Sequence, residues 1–363
     1  MDISGMHTWG VKYPPLIIAG PCSAESKEQL YSTAASLKTI GIDIIRAGVW
    51  KPRTRPGNFE GAGDSALNWI SEIRDELGLK FATEVATPLH VEKALKANID
   101  VFWVGARTTA NSFAVQELAE AIKGVDKPVL VKNPLNPDIS LWLGALERIN
   151  RAGVTKLAAV HRGFSSFQKS RFRNPPTWHL AIELKSELPQ MPLICDPSHI
   201  AGERSMIMEL CQKAMDLDYD GLMVEVHIRP EEALSDTKQQ ITPDELKRLI
   251  DGLKIRKRTS DNVRFLTKLE ELREKIDLVD QELLETLSAR MKLVDEIGFY
   301  KKENNVTVFQ LERWKYLLKT RSNLGTSLKL DKMFVEKLYK LIHDESIRSQ
   351  TEIMKKNNTG NKT

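Results

Sequence analysis

Eight short apolar runs divide the first part of the chain, and polar or charged residues follow each of them. A run rich in Val, Ile and Leu without alternation predicts a strand buried on both faces, which is typical of parallel sheets. Eight strand–helix units in roughly 250 residues predict an α/β fold of the (β/α)8 TIM-barrel class. The runs are Leu16–Ala19, Ile42–Ile45, Phe81–Val85, Val101–Val104, Val129–Val131, Leu157–Val160, Leu193–Cys195 and Leu222–Val226.

The segments between the runs have helical periodicity, as the alternating architecture requires. In a (β/α)8 barrel the catalytic groups lie at the C-terminal ends of the strands. We therefore expect the site among the polar residues that follow the runs. The clearest helical segments are Glu28–Ile40, Ala110–Lys123, Ile139–Arg151 and Gly202–Asp216.

Length and composition narrow the class of protein. A chain of 363 residues is long enough for two domains. A net charge of +4 is too small to indicate a nucleic-acid partner. The sequence has no apolar stretch of about 20 residues and no basic start followed by an apolar core, so we expect neither a membrane span nor a secretory signal. Cys22, Cys195 and Cys211 form no closely spaced framework, which favours the reducing cytoplasm, and the last two are expected in the core.

The chain changes character after the predicted barrel, which we assign to residues 1–253. The basic, polar stretch 254–263 predicts a linker, and residues 264–355 predict an all-α domain. Residues 356–363 have the composition of a disordered tail.

A long helix over about residues 263–303 dominates the predicted second domain, and helices over about 311–321 and 329–355 follow. Two shorter partners cannot cover so long an apolar stripe, so we expect a homo-oligomer, at least a dimer. The stripe comprises Leu269, Ile276, Leu283 and Ile297 on one seven-residue spacing and Leu272, Val279 and Leu293 on another.

Four potential metal ligands follow the first, seventh and eighth runs. Cys22 lies in GPCS, His199 in DPSH, Glu225 at the end of the eighth run and Asp236 in the loop after it. Thiolate, imidazole and carboxylate together suit a borderline divalent ion, with water or substrate completing its coordination. Mn²⁺ is favoured, and Fe²⁺, Co²⁺ and Zn²⁺ remain open.

Six cations follow the second, fourth, fifth and sixth runs. Cations that converge on one cavity repel one another, so they require anionic ligands such as phosphate and carboxylate. Together with a metal they indicate a substrate pair that carries several negative charges. The cations are Arg46, Lys51, Arg53, Arg107, Lys132 and Arg162.

These motifs resemble one enzyme family. GPCS, IIRAGVWKPRT, GARTT, VKNP, HRGF, DPSH and SDTKQ are similar to segments of the short-type 3-deoxy-D-arabino-heptulosonate 7-phosphate (DAHP) synthases, type I, beta subgroup. The resemblance covers about residues 10–255. It implies condensation of phosphoenolpyruvate with erythrose 4-phosphate, with release of phosphate, in the shikimate pathway. It also implies that Cys22, His199, Glu225 and Asp236 bind the metal.

The same resemblance implies the substrate contacts. Lys51 and His199 are the predicted catalytic residues, although the sequence does not choose between His199 and a metal-bound water for moving protons. Glu84, near the end of the third run, has no assigned role. Phosphoenolpyruvate would contact Arg46, Lys51, Arg107, Lys132, Arg162 and the backbone of Gly105 and Ala106, and erythrose 4-phosphate would contact Lys51, Pro52, Arg53 and Thr54.

A related family remains an alternative for the barrel. The 3-deoxy-manno-octulosonate 8-phosphate synthases resemble this chain, and another aldose phosphate would then be the substrate. They typically have an Asn-containing segment where KPRT stands here, and KPRT favours the four-carbon sugar.

Charged residues in the helical domain indicate a second site. Arg290 shares the register of Ile276 and Leu283, and a buried cation is costly without an anionic partner. Lys301 follows eleven residues later, about 20° around the helix, so both side chains face one cavity. Ser346 and Gln350 are spaced i and i+4 on one face of the last helix.

The segments LEELREKIDLVDQELLETLSARMKLVDEIGFYK and DESIRSQ resemble the first and last helices of AroQ-class chorismate mutases, over about residues 264–355. The resemblance implies rearrangement of chorismate to prephenate without a cofactor. It implies that Arg290, Arg313 and Arg273 of a second subunit bind the carboxylates of chorismate. Lys301 and Gln350 would bond its ether oxygen, and Ser346 would support them.

Two positions depart from the mutase pattern. Trp314 replaces a glutamate expected to contact the substrate hydroxyl, and Gln310 replaces a common aspartate, so we expect weaker recognition of the hydroxyl. The alternative to a second enzyme is a synthase with a single activity. Its helical domain would then only dimerise and sense chorismate or prephenate.

Overall fold

A computed structural model describes residues 1–11, 15–51, 57, 59–167 and 169–355 of the chain. These residues form two compact units, of which the first is Met1–Arg258 and the second begins at Thr259. The boundary falls within the predicted linker 254–263, and Arg256 and Arg258 near the start of that stretch pair with Asp216 and Asp218 of the first unit.

The strands of the first unit form one closed, all-parallel barrel in chain order, with the eighth strand paired to the first. This confirms the predicted (β/α)8 barrel. Each run becomes a strand, with ends that shift by one or two residues. The strands are β1 (Leu16–Gly20), β2 (Ile44–Arg46), β3 (Lys80–Val85), β4 (Val101–Val104), β5 (Val129–Lys132), β6 (Leu157–His161), β7 (Leu193–Cys195) and β8 (Gly221–Glu225).

The helices alternate with the strands, and the side chains that cap them are those the sequence supplies at these positions, such as Ser26, Asn111 and Asp138. The predicted helix from Gly202 begins later, because Gly202 has a left-handed φ of 74° and a 3₁₀ turn intervenes. The helices are α1 (Lys27–Thr39), α2 (Asp64–Leu77), α3 (Pro88–Lys96), α4 (Ala106–Thr109), α5 (Ser112–Ile122), α6 (Ile139–Arg151), α7 (Trp178–Glu187), α8 (Pro197–Ala201), α9 (Ile207–Asp216) and α10 (Pro243–Gly252).

The interior of the barrel is a packed apolar core, which leaves polar chemistry to the strand ends. Ile18, Ile44 and Trp103 are among its buried residues. The 3₁₀ turn Met6–Trp9 packs against the end where the strands begin, since Lys80 of β3 donates to the carbonyl of Trp9 at 3.0 Å. The opposite, C-terminal end carries the polar residues discussed below.

The second unit consists of α11 (Val263–Glu303), α12 (Leu311–Ser327) and α13 (Lys332–Lys355). Helix α12 continues past the predicted end at Arg321, and Val335 of α13 packs against Gly325 where a Cβ would stand. Helix α13 begins after the predicted Lys329, because Lys329 has a φ of 62° and Asp331 accepts from the backbone N–H of Phe334 at 2.8 Å.

Among the described residues, no helix has both the length and the apolar character of a membrane span.

Candidate active sites

Three of the predicted metal ligands converge at the C-terminal end of the barrel. Cys22 follows β1, Glu225 is the last residue of β8, and Asp236 lies in the loop beyond β8. One ligand atom of each lies within 4.8 Å of the others. The thiol of Cys22 lies 3.1 Å from Oδ2 of Asp236. The chain thus brings one sulfur and two carboxylates, distant in sequence, into one cluster.

His199, the fourth predicted ligand, adjoins this cluster. Its Nε2 lies 3.7 Å from Oε1 of Glu225, and its Nδ1 lies 2.9 Å from Oδ1 of Asp196. The contact of Nδ1 with Asp196 favours the tautomer that carries its lone pair on Nε2, the nitrogen on the side of Glu225. Burial lowers the pKa of His199, although Asp196 opposes the shift. The neutral ring that a metal ligand requires is therefore favoured.

The electrostatics of the cluster fit a divalent cation. Burial and the nearby Glu225 raise the pKa of Cys22 to about 12, and Lys51, whose Nζ lies 2.9 Å from Sγ, opposes this. Burial also opposes ionisation of Glu225, but His199 in its protonated form and the cation Arg46 outweigh it and lower its pKa. A thiolate beside the buried Glu225 and the partly buried Asp236 requires additional positive charge, and this donor set suits Mn²⁺, Fe²⁺, Co²⁺ or Zn²⁺.

Four side chains that the sequence analysis did not select orient these ligands. Asp196 holds His199, and Arg173 donates to Oδ1 of Asp236 at 2.8 Å. Gln239 donates to Oε2 of Glu225 at 2.6 Å, and Gln240 accepts from the backbone N–H of Cys22 at 2.9 Å. Asp196 lies within the DPSH motif, and the two glutamines directly follow the SDTK segment, so these motifs could have pointed to all three residues. No motif marks Arg173, which lies in the long loop after β6.

Two of the predicted substrate cations already have carboxylate partners. Arg46 of β2 is 1% exposed and donates to Oε1 of Glu225 at 2.9 Å, and Lys132 of β5 donates to Oδ2 of Asp196 at 2.7 Å. From the sequence we expected only external anions, because local patterns do not show that Glu225 of β8 and Asp196, directly after β7, contact these cations. Nε and Nη1 of Arg46 are buried and have no hydrogen-bond partner in the described part of the chain. These two donors are oriented but unused within the protein.

A cluster of guanidinium groups lies beside these pairs. Burial lowers the pKa of Arg162 to about 10, Asp196 opposes the shift, and Arg173 and Arg107 add to it. Arg107 lies exposed in the short helix α4, directly after Gly105 and Ala106. Adjacent guanidinium groups favour a ligand with two or more negative charges. Pro52, Arg53 and Thr54 lie outside the described residues.

In the helical unit, α11 and α13 bring several predicted mutase residues together. Arg290 donates to Oγ of Ser346 at 2.9 Å. Gln350 packs against Gly298, its side chain is 7% exposed, and its Oε1 has no hydrogen-bond partner among the described residues. Lys301 donates to the carbonyl of Val308 at 2.6 Å. A buried acceptor without a partner, one turn along α13 from the serine that Arg290 contacts, is typical of a ligand site.

His343 of α13 lies near enough to Arg290 and Lys301 to be affected by their charges. Burial lowers its pKa, Asp344 opposes the shift, and Arg290 and Lys301 both add to it. Trp314 stacks on the imidazole, with ring centroids 4.0 Å apart and planes 11° apart. His343 was not among the predicted residues, because no motif marks it. The expected weaker recognition of the substrate hydroxyl stays a prediction.

Arg273 is not brought to Arg290 within one chain. It lies exposed on α11, 3.5 Å from Glu270, and the separation of 17 positions corresponds to about 25 Å of helix. Arg313 lies in α12 with its guanidinium 5.5 Å from the ring centre of Tyr316.

The family follows from comparison of the sequence with those of known proteins. The sequence profile of the DAHP synthetase I family matches residues 4–260. The chain belongs to the DAHP synthetase I family. The profile of chorismate mutase type II matches residues 272–351. The chain is therefore a bifunctional enzyme of the shikimate pathway that joins a DAHP synthase to a chorismate mutase, which confirms both resemblances.

Individual relatives agree for the barrel. A phospho-2-dehydro-3-deoxyheptonate aldolase of Thermotoga maritima is 34% identical over 238 residues, which cover 66% of this chain and 68% of the relative. A crystal structure of DAHP synthase from Thermotoga maritima matches with a TM-score of 0.59 over 65% of this chain and 67% of that chain, at 34% identity. A 2-dehydro-3-deoxyphosphooctonate aldolase of Helicobacter pylori is 29% identical over 289 residues, covering 69% of this chain and 99% of the relative.

Proposed function

We propose that the synthase site binds one divalent metal through Cys22, His199, Glu225 and Asp236. The observation that carries this proposal is the convergence of thiol and carboxylates within 4.8 Å, with Nε2 of His199 facing the same carboxylate. Mn²⁺ is favoured. A cation bound there would polarise the aldehyde oxygen of erythrose 4-phosphate as a Lewis acid.

The surrounding cations would bind phosphoenolpyruvate. The unused donors of Arg46 and the guanidinium of Arg162 suit planar, two-point contacts with phosphate or carboxylate. Lys132, held by Asp196, adds a buried positive charge, and Arg107 adds one at the exposed edge. These groups would stabilise the phosphate as it leaves, because their charges are oriented before the reaction begins. Gly105 and Ala106 would supply backbone contacts.

Lys51 would act between the two substrates. Its Nζ lies 2.9 Å from the thiol of Cys22, and it begins the KPRT segment, whose Pro52, Arg53 and Thr54 would contact erythrose 4-phosphate. A lysine there favours the thiolate of Cys22 and attracts the sugar phosphate.

The experiment that tests the synthase measures phosphate release with phosphoenolpyruvate, Mn²⁺ and either erythrose 4-phosphate or arabinose 5-phosphate. We expect kcat/KM to be at least about 10²-fold higher for the four-carbon sugar, since a misplaced hydroxymethylene group disturbs the reacting geometry. Equal rates with the two sugars would contradict the assignment of KPRT to erythrose 4-phosphate.

We further propose that the mutase works as a homodimer. In the described part of α11 the buried residues are Val294 and Gly298, whereas Ile276 is 58% and Leu283 53% exposed. A second copy would cover this apolar face. It would also bring its own Arg273 next to Arg290 of the first copy, whereas these two residues of one chain are about 25 Å apart along α11.

Mixed dimers test this arrangement. Arg273→Ala and Arg290→Ala proteins should each be inactive as mutases. Refolding them together in equal amounts should restore roughly a quarter of the wild-type rate, because half of the dimers are mixed and each mixed dimer has one intact site. No recovery, or a monomer by light scattering, would contradict the shared pocket.

The fusion of the two enzymes supports a regulatory role for the helical unit, as the alternative to mutase activity alone. Chorismate or prephenate in the mutase pocket would change the synthase rate. Assaying the synthase at saturating prephenate tests this, and an unchanged rate would exclude it.

Three free cysteines support a reducing, cytoplasmic location. For the domains we propose residues 1–253 and 264–355, with residues 254–263 as the linker.

A further inference from the structure

Trp103 of β4 lies between the two buried cations of the synthase site. It is 1% exposed and belongs to the core inside the barrel. The guanidinium carbon of Arg46 lies 5.1 Å from its ring centre, and Nζ of Lys132 lies 5.6 Å from it. Both distances are within the range of cation–π attraction.

Glu84 fixes the orientation of this ring. The indole Nε1–H donates to Oε2 of Glu84 at 3.0 Å. Oε1 of Glu84 lies 2.1 Å from the place where a Cβ on Gly105 would stand, so any larger residue there would displace the carboxylate. The glycine of the GARTT motif therefore makes room for Glu84, and Glu84 in turn holds Trp103.

We propose that Trp103 is a positioning residue of the synthase, holding Arg46 and Lys132 in place for the anionic groups of phosphoenolpyruvate. This rests on the proposed role of these cations in binding that substrate. Arg46 and Lys132 come from β2 and β5, and the tryptophan of β4 contacts both.

An aromatic ring suits this position because carboxylates already surround the two cations. Glu225 pairs with Arg46 and Asp196 pairs with Lys132. Glu84 also lies near enough to act on both cations, and further anionic charge would weaken the attraction of the site for phosphate and carboxylate. The face of an indole attracts cations through its quadrupole and adds no net charge. A fully buried, hydrogen-bonded ring also restricts the rotamers of the two long side chains, which lowers the entropy lost on binding.

Two substitutions separate the face of the ring from its hydrogen bond. Trp103→Leu removes both, and Trp103→Phe keeps an aromatic face but loses the donor to Glu84. Trp142→Leu is the matched control, because Trp142 is also fully buried with a single indole hydrogen bond, to the carbonyl of Val131 at 3.1 Å, and lies in α6 outside the barrel interior.

The measurements are steady-state kinetics and calorimetric binding of phosphoenolpyruvate to the Mn²⁺-loaded full-length protein. Trp103→Leu should raise both KM and Kd for phosphoenolpyruvate about tenfold, equivalent to ~1.4 kcal/mol, and Trp103→Phe about threefold. KM for erythrose 4-phosphate should change less than about twofold in both variants. Trp142→Leu should leave both constants for phosphoenolpyruvate unchanged even where it lowers the Tm.

A Trp103→Leu protein with a lower Tm but an unchanged Kd for phosphoenolpyruvate would overturn the proposal, since a merely structural residue behaves in that way. If Trp103→Leu does not fold, Trp103→Phe decides by the same criterion. A wild-type protein that binds phosphoenolpyruvate but does not condense it would contradict the proposed function and would leave the binding test of Trp103 intact.

Discussion

The carboxylate of Asp196 lies 2.9 Å from Nδ1 of His199 and thereby decides which ring nitrogen faces Glu225. The same carboxylate accepts from Nζ of Lys132 at 2.7 Å. Burial opposes its ionisation, but His199 and Lys132 hold the pKa of Asp196 well below its usual range. One buried acid therefore connects a proposed metal ligand to a cation proposed to bind substrate.

Asp196→Asn should lower metal affinity about 10- to 100-fold, because the amide no longer fixes the tautomer of His199. Competition with a chelator and metal analysis after dialysis measure this. Asp220→Asn is the matched control: Asp220 is also buried and pairs with Lys185 at 3.2 Å, but it lies at the opposite end of β8. Equal losses of metal affinity in the two variants would show that Asp196 acts only through stability.

Removal of divalent ions should separate the two activities. We expect a chelator to abolish condensation and to leave the rearrangement of chorismate unchanged, since the proposed metal ligands all belong to the first unit.

Cys22→Ser should lower metal content and synthase rate, because a hydroxyl is a poorer ligand than a thiolate for these ions. Cys211→Ser, at a buried free cysteine of α9, is the control. Full metal content in Cys22→Ser would exclude ligation by the thiol.

Arg290→Ala should reduce the mutase kcat/KM by about 10²-fold or more, since it removes a charge-assisted contact from a partly desolvated pocket. Arg348→Ala is the control. Arg348 lies two residues from Gln350 on α13 but is exposed and pairs with Glu345 and Glu352. Chorismate consumption by the full-length proteins measures both, and a loss confined to Arg348→Ala would contradict the location of the pocket.

His161 should make the barrel sensitive to acid. Burial lowers its pKa from 6.5 to about 4. The unfolded chain then takes up the proton first, so stability is complete above pH ~6.5 and about 3 kcal/mol of it is lost as the pH falls towards 4. Denaturant unfolding at several pH values measures this loss. His161→Gln should be less stable at neutral pH but should show a shallower dependence over this range, and equal slopes would contradict the assignment.

The apolar runs and their spacing were sufficient to predict the barrel, because strands buried on both faces carry a continuous apolar pattern that local sequence displays. The ends of several helices were less well predicted. Helices begin later than predicted after Gly202 and Lys329, which have positive φ, and α12 runs past its predicted end, where Val335 packs against Gly325. Where a helix breaks or continues therefore depends on backbone conformation and on the side chains that pack against it.

The residues of the synthase site also differ in how far the sequence alone could predict them. Cys22, His199, Glu225 and Asp236 were found because they stand in motifs at strand ends, and in a closed parallel barrel all such ends meet on one rim. Asp196 was not selected, although it stands in the DPSH motif. It pairs with Lys132, which is 64 residues away in the chain, and the sequence does not show that contact.

The sequence by itself determined the (β/α)8 barrel, the helical second unit, the family and the types of residue in both sites. Only the tertiary structure decided the pairings among those residues: Asp196 with His199 and Lys132, Arg46 with Glu225, and Trp103 beside the two cations. The reason is physical. Apolar periodicity is a local property that a segment displays by itself, whereas a hydrogen bond or cation–π contact between strands depends on which side chains the closed sheet places across the barrel from each other.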